Sequence, residues 1–145
     1  MIRYVVLLVL VGLASAQRKD VSFRDCGSKA KVVSVQMEPC DSDPCVLRKG
    51  KTSRVHFSII SDQDTKTAWL SGKFKLWIIP VKIPGLSQDM CKNIVQCPIA
   101  KGERYGGSMR VTIPSYAPSM KTNVELKISG DKGSSVCIKA DVLIR

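Results

Sequence analysis

NVELKISGDKGSSVCIKADVLI, residues 123–144, holds two runs in which apolar and polar side chains alternate. Val124, Leu126 and Ile128 occupy every second position of the first run, and a glycine-rich turn at residues 130–133 precedes the second. Alternation with a period of two is typical of strands with one buried face, whereas an amphipathic helix repeats its apolar residues every three or four positions. The stretch therefore predicts two strands joined by a turn.

The same alternation recurs along most of the chain. Further runs contain Val33, Val35 and Met37; Val55, Phe57 and Ile59; Leu70, Phe74, Leu76 and Ile78; and Met109, Val111 and Ile113. Six or seven such strands predict an all-β protein in which two antiparallel sheets pack as a sandwich. A helical turn is expected only within residues 86–95. Because no repeat or linker interrupts the pattern, the 145 residues predict a single domain.

The N-terminal residues have the features of a secretory signal peptide. Arg3 precedes an apolar segment that ends at Leu13, and small residues follow for cleavage after Ala16. The apolar segment is too short to span a membrane. We therefore expect residues 1–16 to be removed and residues 17–145 to form the secreted domain.

The six cysteines predict three disulfides, because an even number behind a signal peptide is typical of an oxidising compartment. Fifteen pairings are open to six cysteines. Spacing favours two local pairs, which leaves one long one: Cys40–Cys45, Cys91–Cys97 and Cys26–Cys137. A four-thiolate zinc site built from the two local pairs is the alternative, although its spacings are wider than those of most zinc sites.

Residues for catalysis or metal binding are sparse. The single histidine, His56, lies in a predicted strand, and no Gly-x-Ser-x-Gly nucleophile motif accompanies it. With all six cysteines paired, no thiol remains as a nucleophile. The carboxylates of Asp62 and Asp64 lack the glycine and the terminal glutamate of a calcium-binding loop. We therefore expect no enzyme activity, no metal and no cofactor.

The chain carries a formal charge of +11, from 23 basic and 12 acidic residues. A basic surface attracts anionic membranes, acidic polysaccharides or nucleic acids. Secretion, and the lack of aromatic residues interleaved with the basic ones, argue against a nucleic acid. Basic residues such as Lys73, Lys75 and Lys82 are scattered over turns and polar strand faces, so solubility alone would also explain the charge. If a patch forms, anionic lipid surfaces are the partner that we expect first.

Two proline-containing segments break the alternation: PVKIP, residues 80–84, and IPSYAP, residues 113–118. Proline has no N–H to donate to a ladder, so each segment is predicted to lie at a sheet edge or to leave the sheet. Exposed apolar edges are hazardous for a secreted protein unless they line a binding site. Ordinary loops packed on the core are the alternative.

The residues around the cysteines form a set: Asp25-Cys26-Gly27, Glu38-Pro39-Cys40, Pro44-Cys45, Arg48-Lys49-Gly50 and Cys97-Pro98-Ile99. This set resembles the ML lipid-recognition family, which includes the Niemann-Pick type C2 sterol carriers and the group 2 mite allergens. The resemblance covers essentially the whole mature chain, and Thr65-Lys66-Thr67-Ala68 is more similar to the allergen branch.

The resemblance implies an immunoglobulin-like sandwich with an apolar cavity between its sheets, and it implies the same three disulfides. Family members bind one lipid without chemistry. In the sterol carriers the tunnel mouth is lined by an aromatic residue and a tyrosine, which match Val81 and Tyr116 here. Valine in place of the aromatic residue favours a flexible acyl chain over a sterol.

The residues predicted to contact lipid are inward-facing strand positions and the mouth: Val35, Phe57, Phe74, Leu76, Ile78, Val81, Ile83, Val111, Ile113, Tyr116, Leu126 and Ile138. We therefore predict a monomeric secreted carrier of a sterol, fatty acid or phospholipid, in the extracellular space or the endolysosomal lumen. Transient contact with anionic membranes would deliver the lipid. The alternative is an innate-immunity type module that recognises microbial lipid or acidic glycan.

Overall fold

The computed structural model describes residues 17–83 and 85–145, and the predicted signal peptide, residues 1–16, lies outside them. Within this part of the chain there are eleven strands and one short helix. These are β1 (Lys19–Asp20), β2 (Arg24–Asp25), β3 (Lys31–Glu38), β4 (Cys45–Leu47), β5 (Thr52–Ile60), β6 (Trp69–Leu76), β7 (Ile79–Lys82), β8 (Gln88–Asp89), α1 (Met90–Asn93), β9 (Arg104–Thr112), β10 (Met120–Gly130) and β11 (Gly133–Ile144). No helix among the described residues is long and apolar enough to cross a membrane.

Two sheets confirm the predicted all-β sandwich. Sheet 1 has the strand order β1-β3-β5-β9, and sheet 2 has the order β2-β11-β10-β6-β7. β4 joins sheet 2 beside β11, and β8 joins it beside β6. The paired strands run antiparallel except for β4, which is parallel to β11. The α1 helix falls within residues 86–95, where a helical turn was expected.

The quoted stretch forms the longest hairpin of sheet 2. β10 pairs with β11 from Met120 opposite Ile144 to Gly130 opposite Gly133, with one bulge near the turn. Apolar residues of both strands, including Val136 and Val142, are buried against sheet 1. The hairpin thus supplies the continuous inner face on which the core is built.

All three predicted disulfides are present: Cys26–Cys137, Cys40–Cys45 and Cys91–Cys97. No free cysteine remains among the residues that the structure describes, so these six cysteines form no thiolate zinc site. The long bridge joins the segment after β2 to β11 across a sequence separation of 111 residues. The other two close loops with separations of 5 and 6 residues.

A polar network closes the end of the sandwich at the β10–β11 turn. The side chains of Gln63 and Thr65 accept hydrogen bonds from the backbone N–H groups of Lys132 and Asp131, both at 2.9 Å. In return, the Asp131 carboxylate accepts from the Lys66 backbone N–H at 2.8 Å, which lowers the pKa of Asp131. Because each buried polar group finds a partner, this end is held firmly shut.

Two positions depart from the predicted alternation. Val33 was expected to face inward, but a bulge between Val32 and Ser34 turns it outward and leaves it 38% exposed. The prediction that Ile78 faces the interior is also wrong. β6 ends at Leu76, so Ile78 lies in a turn and is 89% exposed. A two-residue period cannot reveal where a strand stops or where an extra residue is inserted.

Removing the long disulfide should cost more stability than removing a local one. In the chain-entropy model, Cys26→Ser with Cys137→Ser lowers the free energy of unfolding by about 4–5 kcal/mol, and Cys40→Ser with Cys45→Ser lowers it by about 2 kcal/mol. Urea unfolding of both variants beside the parent protein measures the difference. Equal losses would contradict the view that the long bridge fixes β11 to the start of the domain.

Candidate functional site

A wholly apolar cavity lies between the two sheets. Its volume is about 40 Å³. The lining residues are Val21, Val35, Met37, Leu47, Val55, Ile83, Leu86, Met109, Val111, Val124, Leu126, Ile138, Ala140 and Val142. No polar side chain is among them, so the cavity offers contacts to hydrocarbon and no hydrogen bond to a polar group.

Five of the twelve predicted contact residues line this cavity: Val35, Ile83, Val111, Leu126 and Ile138. Phe57 and Ile113 are buried elsewhere in the core, where Phe57 packs edge to face against Tyr105 with ring centroids 6.4 Å apart. Burial raises the pKa of Tyr105 to about 12. Their contact with lipid stays a prediction.

Three more predicted residues, Phe74, Leu76 and Val81, lie between the cavity and the edge of sheet 2. Val124 lines the cavity and pairs with Phe74, which in turn pairs with Val81. Directly paired residues share one face of a sheet, so this row runs from the cavity to the edge strand β7. Phe74, Leu76 and Val81 are only partly buried. The row forms an apolar path from the interior to solvent.

Tyr116 lies at the same end of the sandwich. It belongs to the loop between β9 and β10, and 85% of it is exposed. The hydroxyl of Thr122, near the start of β10, donates to the Lys75 carbonyl at 2.5 Å, which places the end of β6 beside the start of β10. This end, with the β6–β7 turn and the Tyr116 loop, is called the opening below. It lies opposite the network that closes the β10–β11 turn.

A turn after β7 fills the inner face of sheet 2 near the cavity. The backbone N–H of Ile83 donates a hydrogen bond to the Gly72 carbonyl at 3.0 Å, and the backbone N–H of Leu86 donates one to the Ile83 carbonyl at 3.1 Å. Both side chains are almost fully buried. A Cβ atom on Gly72 would lie 2.7 Å from the Cβ atom of Leu86, so the glycine provides the space that Leu86 occupies.

The size of the cavity determines what it can do. Ligand pockets in proteins usually measure about 300–1,000 Å³, whereas this cavity measures about 40 Å³. A bound hydrocarbon must therefore displace part of the lining. Met37 and Met109 have flexible unbranched side chains, and Leu86 lies on a turn rather than a strand, so these three are the wall residues best able to move.

The predicted lipid contacts omitted several residues that line the cavity. Met37, Val55 and Met109 share the inward parity of predicted contacts, and their alternation was a usable signal. Val21 and Leu86 lie outside regular strands, where no period exists. Their position depends on tertiary packing, which a single sequence does not show.

Surface depressions are larger but differ in chemistry. One of about 500 Å³ is lined by Gln17, Asp41, Arg48 and other residues near the Cys40–Cys45 bridge.

His56 lies on the outer face of sheet 1, with its Nε2 atom 3.5 Å from a Glu38 oxygen. Among the described residues no cluster of metal-ligating side chains occurs. The interior cavity is therefore the candidate functional site.

Replacing Gly72 with alanine should destabilise the protein by about 1–3 kcal/mol, because overpacking would push Leu86 away from sheet 2. Thermal unfolding of Gly72→Ala, Leu86→Gly and the double variant measures this coupling, because glycine at position 86 removes the Cβ atom that would clash. The double variant should lose less than the sum of the two single variants. Strict additivity would show that Gly72 does not provide the space for Leu86.

Comparison with protein families shows a match over residues 20–144 to the family model described as the ML domain. The chain is 36% identical over 134 residues to the mite group 2 allergen Pso o 2 of Psoroptes ovis, covering 92% of this chain and 91% of that protein. It is 33% identical over 133 residues to the NPC intracellular cholesterol transporter 2 of Mus musculus, covering 90% and 88% respectively.

Solved structures share the fold. A Niemann-Pick type C2 protein from the Japanese carpenter ant superposes with a TM-score of 0.75 at 20% identity, covering 86% of this chain and 99% of that one. Chicken MD-1 in complex with lipid IVa gives a TM-score of 0.51 at 10% identity, covering 86% and 95%. Both likenesses agree with the predicted immunoglobulin-like sandwich.

Proposed function

We propose that this chain, which belongs to the ML domain family, is a secreted carrier. It binds one lipid between its sheets and releases the lipid at a membrane. Membership agrees with the expectation of a non-catalytic protein. The related transporter is named for cholesterol, and the MD-1 structure holds lipid IVa. The observation that carries the proposal is the cavity between the sheets, whose lining is entirely apolar.

An acyl chain fits this interior better than a rigid ring system. Opening an empty cavity of about 300 Å³ would cost about 7 kcal/mol at roughly 24 cal/mol per Å³. An acyl chain of about sixteen methylene groups gains about 13 kcal/mol on burial, at about 0.8 kcal/mol each. A flexible chain also requires the sheets to separate less than a fused ring. We therefore propose a fatty acid, or one chain of a phospholipid, as the main ligand, with a sterol as the competing outcome.

The polar end of such a ligand has to stay at the opening, because the cavity offers it no hydrogen bond. The partly buried residues Phe74, Leu76 and Val81 provide an apolar path to that end. Lys75 and Lys121 are exposed nearby and favour an anionic headgroup. Three disulfides support an oxidising compartment, either extracellular or endolysosomal.

Three consecutive apolar residues, Trp77, Ile78 and Ile79, project from the β6–β7 turn and are called the tip. Trp77 is 79% exposed and has a φ of 59°, a left-handed conformation that costs a bulky residue energy and usually selects glycine. Folding therefore does not explain a tryptophan at this position. Exposed aromatic and aliphatic residues beside lysines suit the interface of an anionic membrane, where we propose that a monomer docks to exchange its lipid.

Filling the cavity should abolish lipid binding without unfolding the domain. Ala140→Leu places three further carbon atoms into the cavity and should weaken fatty-acid binding at least about tenfold, since it occupies the space that the chain needs. A fluorescent fatty acid titrated into the variant measures the affinity. Ala100→Leu, on an exposed loop, is the matched control and should bind as the parent does. Equal affinity in all three proteins would rule out the cavity as the site.

A charge on the path should block uptake. Val81→Asp puts a carboxylate on the apolar row, so fatty-acid uptake should fall at least about tenfold because burying an unpaired charge is costly. Val33→Asp, on an exposed bulge of sheet 1, makes the same replacement away from the path. Tyr116→Asp tests the other side of the opening. Uptake that is unchanged in both Val81→Asp and Tyr116→Asp would remove these residues from the site.

The tip should enter the membrane interface during docking. The chain has two tryptophans, so Trp69→Phe leaves Trp77 as the single emitter. Its emission should shift to shorter wavelength when vesicles with anionic lipid are added, and much less with neutral vesicles. If the emission of Trp77 does not shift when anionic vesicles are added, this result would contradict docking through the tip.

A further inference from the structure

Basic residues gather on the outer face of sheet 2, although in the sequence they are scattered. Strand register places one residue from each of five strands in a single transverse row: Lys82, Lys73, Glu125, Lys139 and Arg24, on β7, β6, β10, β11 and β2. With strands about 4.8 Å apart, the row is about 19 Å long. Four of its five members are cations.

The carboxylates of this face already have partners. Glu125 lies 3.0 Å from Lys127 and 3.8 Å from Lys139, and the hydrogen bond from Lys127 is the main reason that its pKa is lowered. Asp141 lies 3.3 Å from Arg24. Lys73 and Lys82 stand directly opposite each other, and within residues 17–83 and 85–145 neither forms an ion pair. Like charges directly opposed in a sheet are destabilising, so folding does not explain this pair.

An exposed tryptophan shares the same face. Trp69 has the strand parity of Lys73 and lies about 13 Å from it along β6. Half of its surface is exposed, at 50%, and its cross-strand neighbours are Ser129 and Asp89. Asp89 caps α1 by accepting from the Cys91 N–H at 2.9 Å. The face therefore combines an aromatic platform with two lysines, Lys73 and Lys82, that form no ion pair with the described residues.

Sheet 1 does not show this combination. Its outer face also opposes two cations, Arg54 and Arg110, and Glu38 lies across the strand from Arg54 as Glu125 lies across from Lys73. No aromatic residue of that face is among the exposed large apolar residues of the described chain. Among the described residues, the exposed indole is thus the feature that distinguishes the outer face of sheet 2 from that of sheet 1.

The membrane at the tip would not occupy this face. β6 extends about 23 Å from Trp69 to Leu76, and Trp77 lies in the turn that follows. A membrane that receives the tip lies across the end of the sandwich, whereas the row of cations faces sideways. The outer face also has no exposed aliphatic side chain suited to insertion among the residues that the structure describes.

We propose that the outer face of sheet 2 binds an acidic polysaccharide. The apolar C–H face of a sugar ring stacks on the indole of Trp69, while sulfate or carboxylate groups pair with Lys73 and Lys82. A row about 19 Å long accommodates several sugar units. Binding is independent of the lipid in the interior and anchors the carrier to a glycan-rich surface between deliveries.

Heparin, a sulfated polysaccharide, is the probe, and neutral dextran is its control. Lys73→Glu with Lys82→Glu should weaken heparin binding at least about tenfold, since two attractions become repulsions. Arg54→Glu with Arg110→Glu makes the same change of charge on sheet 1 and should weaken it less than about twofold. Both double variants should bind a fluorescent fatty acid as the parent does, which shows that they are folded and separates this test from that of the carrier function.

Trp69 gives a direct signal of contact. In Trp77→Phe it is the only tryptophan, and its emission should change as heparin is added. Equal losses in the two double variants, an absence of heparin binding by the parent, or an unchanged Trp69 emission would overturn the proposal. Loss of binding to anionic vesicles, with heparin binding intact, in Lys73→Glu with Lys82→Glu would assign the face to membranes instead.

Discussion

The contact between the inner faces of the two sheets is the constraint on which this protein depends. Each strand buries one side, so the sheets must stay close enough to exclude water from valine, leucine and isoleucine side chains. Any ligand that enters between them competes with those contacts. The protein therefore has two requirements, which are to pack its core and to admit a ligand at one end. How far the sheets separate determines the balance between them.

The two ends of the sandwich are built differently. At the β10–β11 turn, Gln63, Thr65 and Asp131 hold the connecting loops through hydrogen bonds, and Cys26–Cys137 fixes the neighbouring strand. At the opening, the edge hairpin β6–β7 carries a partly buried apolar row. An empty cavity of ligand size would cost about half of the stability of a typical domain, and close packing of the two sheets leaves about 40 Å³ between them.

The alternation of apolar and polar residues predicted the fold well. In a two-layer protein, residues such as Val124, Leu126 and Ile128 can all be buried only on one face of a strand. Spacing favoured the observed disulfides without excluding the other pairings, because Cys40 lies close in sequence to Cys45 and Cys91 lies close to Cys97. The lining of the cavity was predicted less completely. Leu86 reaches it only because Gly72 lacks a side chain, and the exposure of Ile78 depends on where β6 ends. Such features arise from packing between distant segments. The row of cations on sheet 2 was hidden for the same reason, since it is formed by register between five strands.

Native mass spectrometry of the secreted protein, followed by solvent extraction, tests lipid carriage most directly. The account predicts a one-to-one adduct whose extract contains a fatty acid or an acyl-chain lipid, or such an adduct after incubation of the folded protein with oleate. A one-to-one adduct with sterol alone would keep the carrier but contradict the choice of ligand. A folded protein with intact disulfides that binds neither oleate nor cholesterol would contradict the central claim that the space between the sheets exists to hold a lipid.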